Sequence, residues 1–306
     1  MSLSVPLGFD TRCAALAQQL ERLPDKPEET PRATLAALWH FAAGTALSSE
    51  GALQAPLPQL DEAAESRLHR LVERRLAGEP LPHITGRQHF FGVELLASPG
   101  ALIPRRETEL LANAALTALR QLRVDAAKPE DVDLLVVDVC TGSGNLALAL
   151  AHHDAHALVF AADLSAEAVE LARRNCALLH LQNRVQIRVG DLLAPFDDAR
   201  FHNKVDLLVC NPPYISTKKM QSMPREIVGF EPVLAFDGGP LGIRILQRLI
   251  REAPRYLRRG GRLAFEVGAG QGPAVKKRLE GSGRYCDVRT VPDAAGEIRV
   301  IMAALP

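Results

Sequence analysis

From Asp133 onward, short apolar runs alternate with segments of helical period, and that alternation leaves few folds open. Residues 134–139, 158–163, 185–189, 205–210 and 262–267 are β-favouring and short, as buried parallel strands are. Helices are expected from 146 onward, over 165–180 and over 242–257, and two further strands near 285–291 and 298–303. Strand-helix alternation closes most readily into an α/β fold, a doubly wound, Rossmann-like sheet of seven mostly parallel strands.

The fourth of these strands ends in Asn211-Pro212-Pro213-Tyr214. Neither proline can donate a ladder hydrogen bond, so the strand stops and Asn211 is left at its carboxyl end. Open α/β sheets hold their ligands at that edge. An Asn oxygen and the stiff Pro212 carbonyl can together accept both hydrogens of a planar –NH₂ group. Tyr214 adds a flat, partly polar surface. The stretch reads as a receptor for an amide or an exocyclic amine. A plain Asn-Pro turn is the bland alternative, and the glycine-rich loop upstream argues against it.

That loop is Cys140-Thr141-Gly142-Ser143-Gly144-Asn145, between the first strand and its helix. Glycines there let backbone approach a ligand. Asp163 follows Gly142 by about 20 residues, the separation at which an acid meets ribose hydroxyls. The spacing is not G-x-G-x-x-G, and no lysine follows the glycines, which disfavours NAD and a phosphate-binding loop. Asp138 just before the turn suits a cationic ammonium better than a pyrophosphate. S-adenosylmethionine fits these features. Asp138 and the Gly142–Gly144 backbone, with Ser143, are expected at its amino-acid end, Asp163 at the ribose and Asp191 at the adenine amine, with Thr141, Leu192 and Asn211 also expected to contact the cofactor.

Residues 1–78 read as a small helical domain. Thr30-Pro31 starts one helix, with Leu35, Leu38, Trp39, Ala42 and Ala46 on one face. A second carries Leu60, Ala64, Leu68, Leu71, Val72 and Leu76 and stops at Gly78. Residues 79–104 read as a joining segment with a hairpin turning at Gly92, and residues 105–306 as the main domain. Residues 103–109 open a helix, where Arg105 either reaches the active-site crevice and its substrate or is an exposed helix-start arginine.

The 306 residues carry zero formal net charge, which argues against broad phosphate-driven nucleic-acid binding. Arg251, Arg255, Arg258, Arg259 and Arg262 cluster, and a solvated helix end explains them most simply. The five cysteines form no C-x-x-C pair and the histidines lack ligand spacing, so a reducing compartment and no metal are expected. With no signal peptide and no membrane-length apolar run, the expected location is cytoplasmic.

Taken together, the chain resembles the class I S-adenosylmethionine-dependent methyltransferases and, within them, is similar to the HemK/PrmC protein-glutamine methyltransferases. The resemblance rests on Glu79-Pro80 with Ile84-Thr85-Gly86, and on Ile103-Pro104-Arg105 with Glu107-Thr108-Glu109. It continues through Asp138 with the glycine loop, Asn211-Pro212-Pro213-Tyr214, Phe230-Glu231-Pro232 and Asp237-Gly238-Gly239. It implies an N-terminal domain that helps hold a release factor, and methyl transfer to the side-chain amide of a Gly-Gly-Gln glutamine. Asn211, Pro212 and Tyr214 are the implied catalytic residues, with Pro213 and Arg105 beside the substrate.

Arg106 stands where the family often has proline, and Cys140 replaces a common glycine. Cys140, Met220, Met223-Pro224 and Glu226 lean toward a large-subunit ribosomal protein as substrate; the Pro-Arg-x-Glu-Thr-Glu stretch leans to a release factor, which the balance favours. A DNA adenine-amine methyltransferase is a more distant reading, since it needs base flipping and a DNA-reading domain. A binding module without catalysis is disfavoured by the intact Asp138, Gly142, Gly144, Asp163 and Asn211.

Overall fold

Side-chain caps and apolar period make the N-terminal region helical, as the computed structural model of the chain shows; it describes residues 8–125, 132–220 and 229–306. Met223-Pro224 and Glu226 lie outside the described residues. Two compact units are formed. The first comprises Met1–Pro99, Ile103–Arg106 and Pro224–Glu231; the second comprises Gly100–Leu102, Glu107–Met223 and Pro232–Pro306.

In the first unit, helices run over Phe9–Ala17, Pro31–Ala42, Ser49–Gln54, Glu62–Leu76 and Leu81–Thr85. Thr30, Ser48 and Asp61 cap three of them by accepting the N–H groups of Ala33, Gly51 and Ala64. Leu35, Leu38, Trp39, Leu68 and Leu71 pack into one core, with Phe9 edge-on to Trp39 at 5.4 Å. The helix ends at Ala42, short of Ala46, because the chain turns at Gly44. The expected hairpin forms from β1 (Arg87–Phe90) and β2 (Val93–Leu96), turning at Phe91-Gly92. It packs as part of this unit rather than as a separate joining segment.

The second unit is built on β3 (Leu134–Val139), β4 (Ala157–Asp163), β5 (Val185–Val189), β6 (Val205–Cys210), β7 (Leu257–Glu266), β8 (Cys286–Pro292) and β9 (Ile298–Ala304). Their order is β5-β4-β3-β6-β7-β9-β8, parallel except where β9 meets β7 and β8. Helices Thr108–Asp125, Asn145–His153, Ala166–Leu178, Arg244–Glu252 and Gly272–Gly281 flank it. The helix expected to reach 257 stops at Glu252, since Pro254 has no N–H to continue the ladder. β7 consequently starts at Leu257, earlier than its apolar run suggests.

Every residue of β6 is buried. Strand order reverses between β3 and β6, which places a crevice beyond their carboxyl ends. Val139 pairs with Cys210, and Cys210 with Phe265. The glycine loop, Asn211 and Glu266 therefore leave three adjacent strands side by side. At the other end, buried Asp206 accepts the Leu135 N–H at 2.8 Å and Arg258 at 2.6 Å, tying β6 to its neighbours. Arg251, Arg255 and Arg262 of the basic cluster are likewise paired, with Glu252, Asp197 and Asp287. Asp206→Ala strands the part-buried Leu135 N–H and the half-buried Arg258 charge; it is expected to lower the unfolding free energy by about 2–3 kcal/mol, read from urea denaturation of the full chain.

Candidate active site

The loop after β3 is shaped by its own carboxylates. Asp138 is fully buried, and its Oδ2 accepts the Thr141 hydroxyl at 2.6 Å and the Ala147 N–H at 3.2 Å. Its Oδ1 has no partner among the described residues. Burial raises the Asp138 carboxyl to about 7. Asp163, at the end of β4, accepts the Gly142 N–H at 2.8 Å and the Ser165 N–H at 2.9 Å. Burial pushes its carboxyl up as well, against those two N–H groups. Asn175 holds the loop from the next helix through the Ser143 carbonyl, at 3.0 Å. Gly142 has φ +56 and open space where a side chain would stand. Only glycine adopts that backbone at no steric cost while leaving the cradle empty.

Four of the expected cofactor residues have surroundings that the sequence did not announce. Thr141 is buried against Asp138 and braces it. Asp138 is fully buried and keeps one oxygen unpartnered among the described residues. Asp191, expected to take an adenine amine, has its oxygens 3.1 and 2.9 Å from Arg248, and Leu192 beside it is buried.

Beyond β6, Asn211 is half-buried and Pro212 buried. The Asn211 Nδ2 donates to the Thr108 hydroxyl at 3.0 Å, which donates to Glu266 Oε2 at 2.8 Å. The Tyr214 hydroxyl donates to Glu266 Oε1 at 3.0 Å. Arg299 lies 3.7 Å from the same carboxylate oxygen. Burial raises the Tyr214 phenol, and the adjacent Glu266 adds to the effect. Among the described residues, Asn211 Oδ1 receives no hydrogen bond. Gln271 donates to the Tyr214 carbonyl at 2.9 Å, and a Cβ on Gly242 would sit 2.2 Å from that same oxygen. Asn211 is thus a rigidly held acceptor beside a glycine cradle.

Arg105 belongs to the first unit and is not an exposed helix-start arginine. Its guanidinium is buried, 2.5 Å from Glu231 and 3.0 Å from Asp25. Glu231 also accepts the Ile103 N–H at 2.9 Å, so this pair pins the 103–106 segment. Glu266, Gln271 and Arg299 were not singled out by the sequence. Glu266 carries one legible signal, an acid closing an apolar strand level with Asn211 across the β6–β7 pairing; Gln271 and Arg299 carry none.

Among the described residues no group of three or more His, Cys, Asp or Glu could hold a metal ion, and no helix is long and apolar enough to cross a membrane. Residues 14–86 match the PrmC N-terminal domain family, and residues 121–229 the methyltransferase small domain family. The release factor glutamine methyltransferase of Moorella thermoacetica is 37% identical over 94% of this chain and 96% of its own. That of Streptomyces coelicolor is 36% identical over 96% of this chain and 98% of its own. The human methyltransferase 10 domain containing protein shares the fold, with a TM-score of 0.51 at 15% identity over 70% of this chain and 89% of that one. On the strength of these near full-length matches, the chain belongs to the release factor glutamine methyltransferase family.

Proposed function

We propose that this chain transfers a methyl group from S-adenosylmethionine to the side-chain amide nitrogen of a glutamine in a peptide chain release factor, at its Gly-Gly-Gln loop. The observation that carries the reading is Asn211 at the switch-point edge, its oxygen unpaired among the described residues, beside an open glycine cradle. Near full-length relatives named for this activity support it.

The donor supplies an electrophilic methyl group on a sulfonium centre. The protein residues fit such a molecule. Asp138 Oδ1 is a buried acceptor with nothing to accept from, as the receptor of a donor's ammonium would be. Gly142 leaves room, and Asp163, which accepts the backbone N–H groups of Gly142, Leu164 and Ser165, retains a lone pair for ribose hydroxyls. An amide nitrogen is a poor nucleophile, because its lone pair is delocalised into the carbonyl. Positioning therefore supplies much of the rate. Asn211 Oδ1 and the Pro212 carbonyl each accept one substrate amide hydrogen, aim the nitrogen, and favour the positive charge that develops on it. Tyr214 packs beside the amide with its hydroxyl anchored on Glu266. No general base is required, since the proton leaves to water after the displacement.

Incubating the purified chain with labelled S-adenosylmethionine and a release factor, followed by mass spectrometry of the Gly-Gly-Gln peptide, tests the substrate. Label on a ribosomal protein instead would replace the release factor; label on DNA adenine would overturn the amide reading.

Three outcomes are expected at the site. Asn211→Ala slows single-turnover methylation by about a hundredfold to a thousandfold and leaves S-adenosylhomocysteine affinity unchanged; a wild-type rate would refute the receptor role. Asp163→Ala weakens S-adenosylhomocysteine binding by about tenfold or more in calorimetry, through lost charge-assisted bonds and a loosened loop. Asp138→Asn stabilises the free protein as pH rises. The native carboxyl holds its proton to about 7 against an ordinary 3.8. Between those values the native state binds more protons than the unfolded one, so wild-type stability falls with rising pH. The variant lacks that dependence. Its advantage in urea titrations should be absent near pH 4, grow by at most about 1.4 kcal/mol per pH unit, and level off above about pH 7.

A further inference from the structure

The Asn211 amide could face its substrate with either its oxygen or its nitrogen. Both edges have nearly the same shape, so packing alone does not choose. What chooses is a count of protons along Asn211, Thr108 and Glu266. Glu266 ends β7 and is fully buried. Its neighbours are Thr108, Tyr214 and Arg299, with Glu107 nearby as the one like charge. Burial raises its carboxyl, whereas Thr108, Arg299 and Tyr214 each favour the ionised form. The Thr108 and Tyr214 hydroxyls both point at its oxygens and the Arg299 guanidinium lies 3.7 Å from Oε1, a setting that suits an ionised carboxylate, and an ionised carboxylate has no hydrogen to give. The single Thr108 hydroxyl proton is therefore committed to Glu266 Oε2, 2.8 Å away. The Thr108 oxygen then shows only lone pairs to Asn211, 3.0 Å away. The nitrogen edge can donate into those lone pairs. The oxygen edge would place two acceptors in contact with no proton between them.

We propose that Thr108 and Glu266 are positioning residues that lock the Asn211 amide with its nitrogen toward the protein and its oxygen toward the substrate. This rests on the amide-methylation reading above and deepens it. Without the lock the amide turns over, and its –NH₂ then meets the –NH₂ of the incoming glutamine, donor against donor. Thr108 starts the helix Thr108–Asp125, and Glu266 lies next to Asn211 across the β6–β7 pairing. The three residues are thus brought together from elements far apart in the chain.

The test uses the full-length protein, a release factor and S-adenosylmethionine, with Thr108→Val, Thr108→Ser, Glu266→Gln, Asn211→Ala and the Thr108→Val/Asn211→Ala double variant. Valine keeps the shape of threonine without its hydroxyl. Thr108→Val is expected to slow single-turnover methylation by about tenfold to a hundredfold, with S-adenosylhomocysteine affinity within about twofold of wild type. Thr108→Ser keeps the hydroxyl and should hold the rate within about threefold. Glu266→Gln provides an –NH₂ that can donate to Thr108, which frees the threonine proton for the wrong edge of Asn211; it should slow transfer as Thr108→Val does. In the Asn211→Ala background Thr108→Val should cost nothing further, because both act through one amide.

A second readout needs no activity. In amide NMR, one Asn211 Nδ2 proton, identified by its loss in Asn211→Ala, should be shifted and protected from exchange in wild type and Thr108→Ser, and not in Thr108→Val. An unchanged Nδ2 signal in Thr108→Val, a wild-type rate for that variant, or a full additional loss in the double variant would each overturn the proposal. A wild-type enzyme that never methylates the release factor would instead sink the functional reading, and the NMR comparison would still decide the lock.

Discussion

The parallel pairing of β3, β6 and β7 is the constraint on which the rest depends. Val139 opposite Cys210, and Cys210 opposite Phe265, is one register running across three strands. A slip of one residue would send each side chain to the opposite face of the sheet. In the observed register the glycine loop, Asn211 and Glu266 emerge together where strand order reverses, and the helix beginning at Thr108 closes the row from one side. Asp206, at the opposite end of β6, holds that register by bonding to the β3 backbone.

Two buried carboxylates flank the crevice, and they are treated differently. Glu266 is satisfied on both oxygens by hydroxyls, with a guanidinium beside it. A group so saturated is a fixed reference point, although burial still raises its carboxyl. Asp138 is satisfied on one oxygen alone. Burial raises its carboxyl to about 7, and a cationic partner would bring it down again. One acid thus sets geometry, and the other is a vacancy in the hydrogen-bond network suited to a charged guest.

How much of this was legible depended on the range of the interaction. Strands and helices are written in local period, so the sheet, the N-terminal helices and the hairpin could be read from the sequence. Pro254, whose missing N–H ends a helix, was passed over because its neighbours keep the helical period. The Asn211 edge was legible because two prolines and an apolar run mark it. The ion pair of Arg105 was not legible because its partner Glu231 stands 126 residues away, and nothing near residue 105 announces a buried acid. Thr108 was visible as part of a motif, but not as the link between Asn211 and Glu266, since that link exists only once a helix start meets two strand ends. Asp191 was placed correctly at a strand end, yet Arg248 from a later helix engages it.

The same logic explains why so much of the region around Tyr214 is stiff. The Tyr214 carbonyl is fixed by Gln271, and the chain at Gly242 passes so close that even a methyl group would collide with it. Ile215 donates to the Phe236 carbonyl at 2.9 Å and accepts from Gly238 at 2.9 Å, so the segment after the prolines is bound as a short bridge. A weak nucleophile gives a catalyst little to activate, and the barrier must be lowered by holding the nitrogen where the methyl will arrive. Such holding fails if the receptor itself moves. Proline stiffness, a backbone clamp and a proton-counted amide act on successive atoms of the same four residues. On the proposed reading, removing any one loosens the acceptor. For positional catalysis that is a loss in rate, while the fold and the glycine cradle, supported by other strands, stay in place.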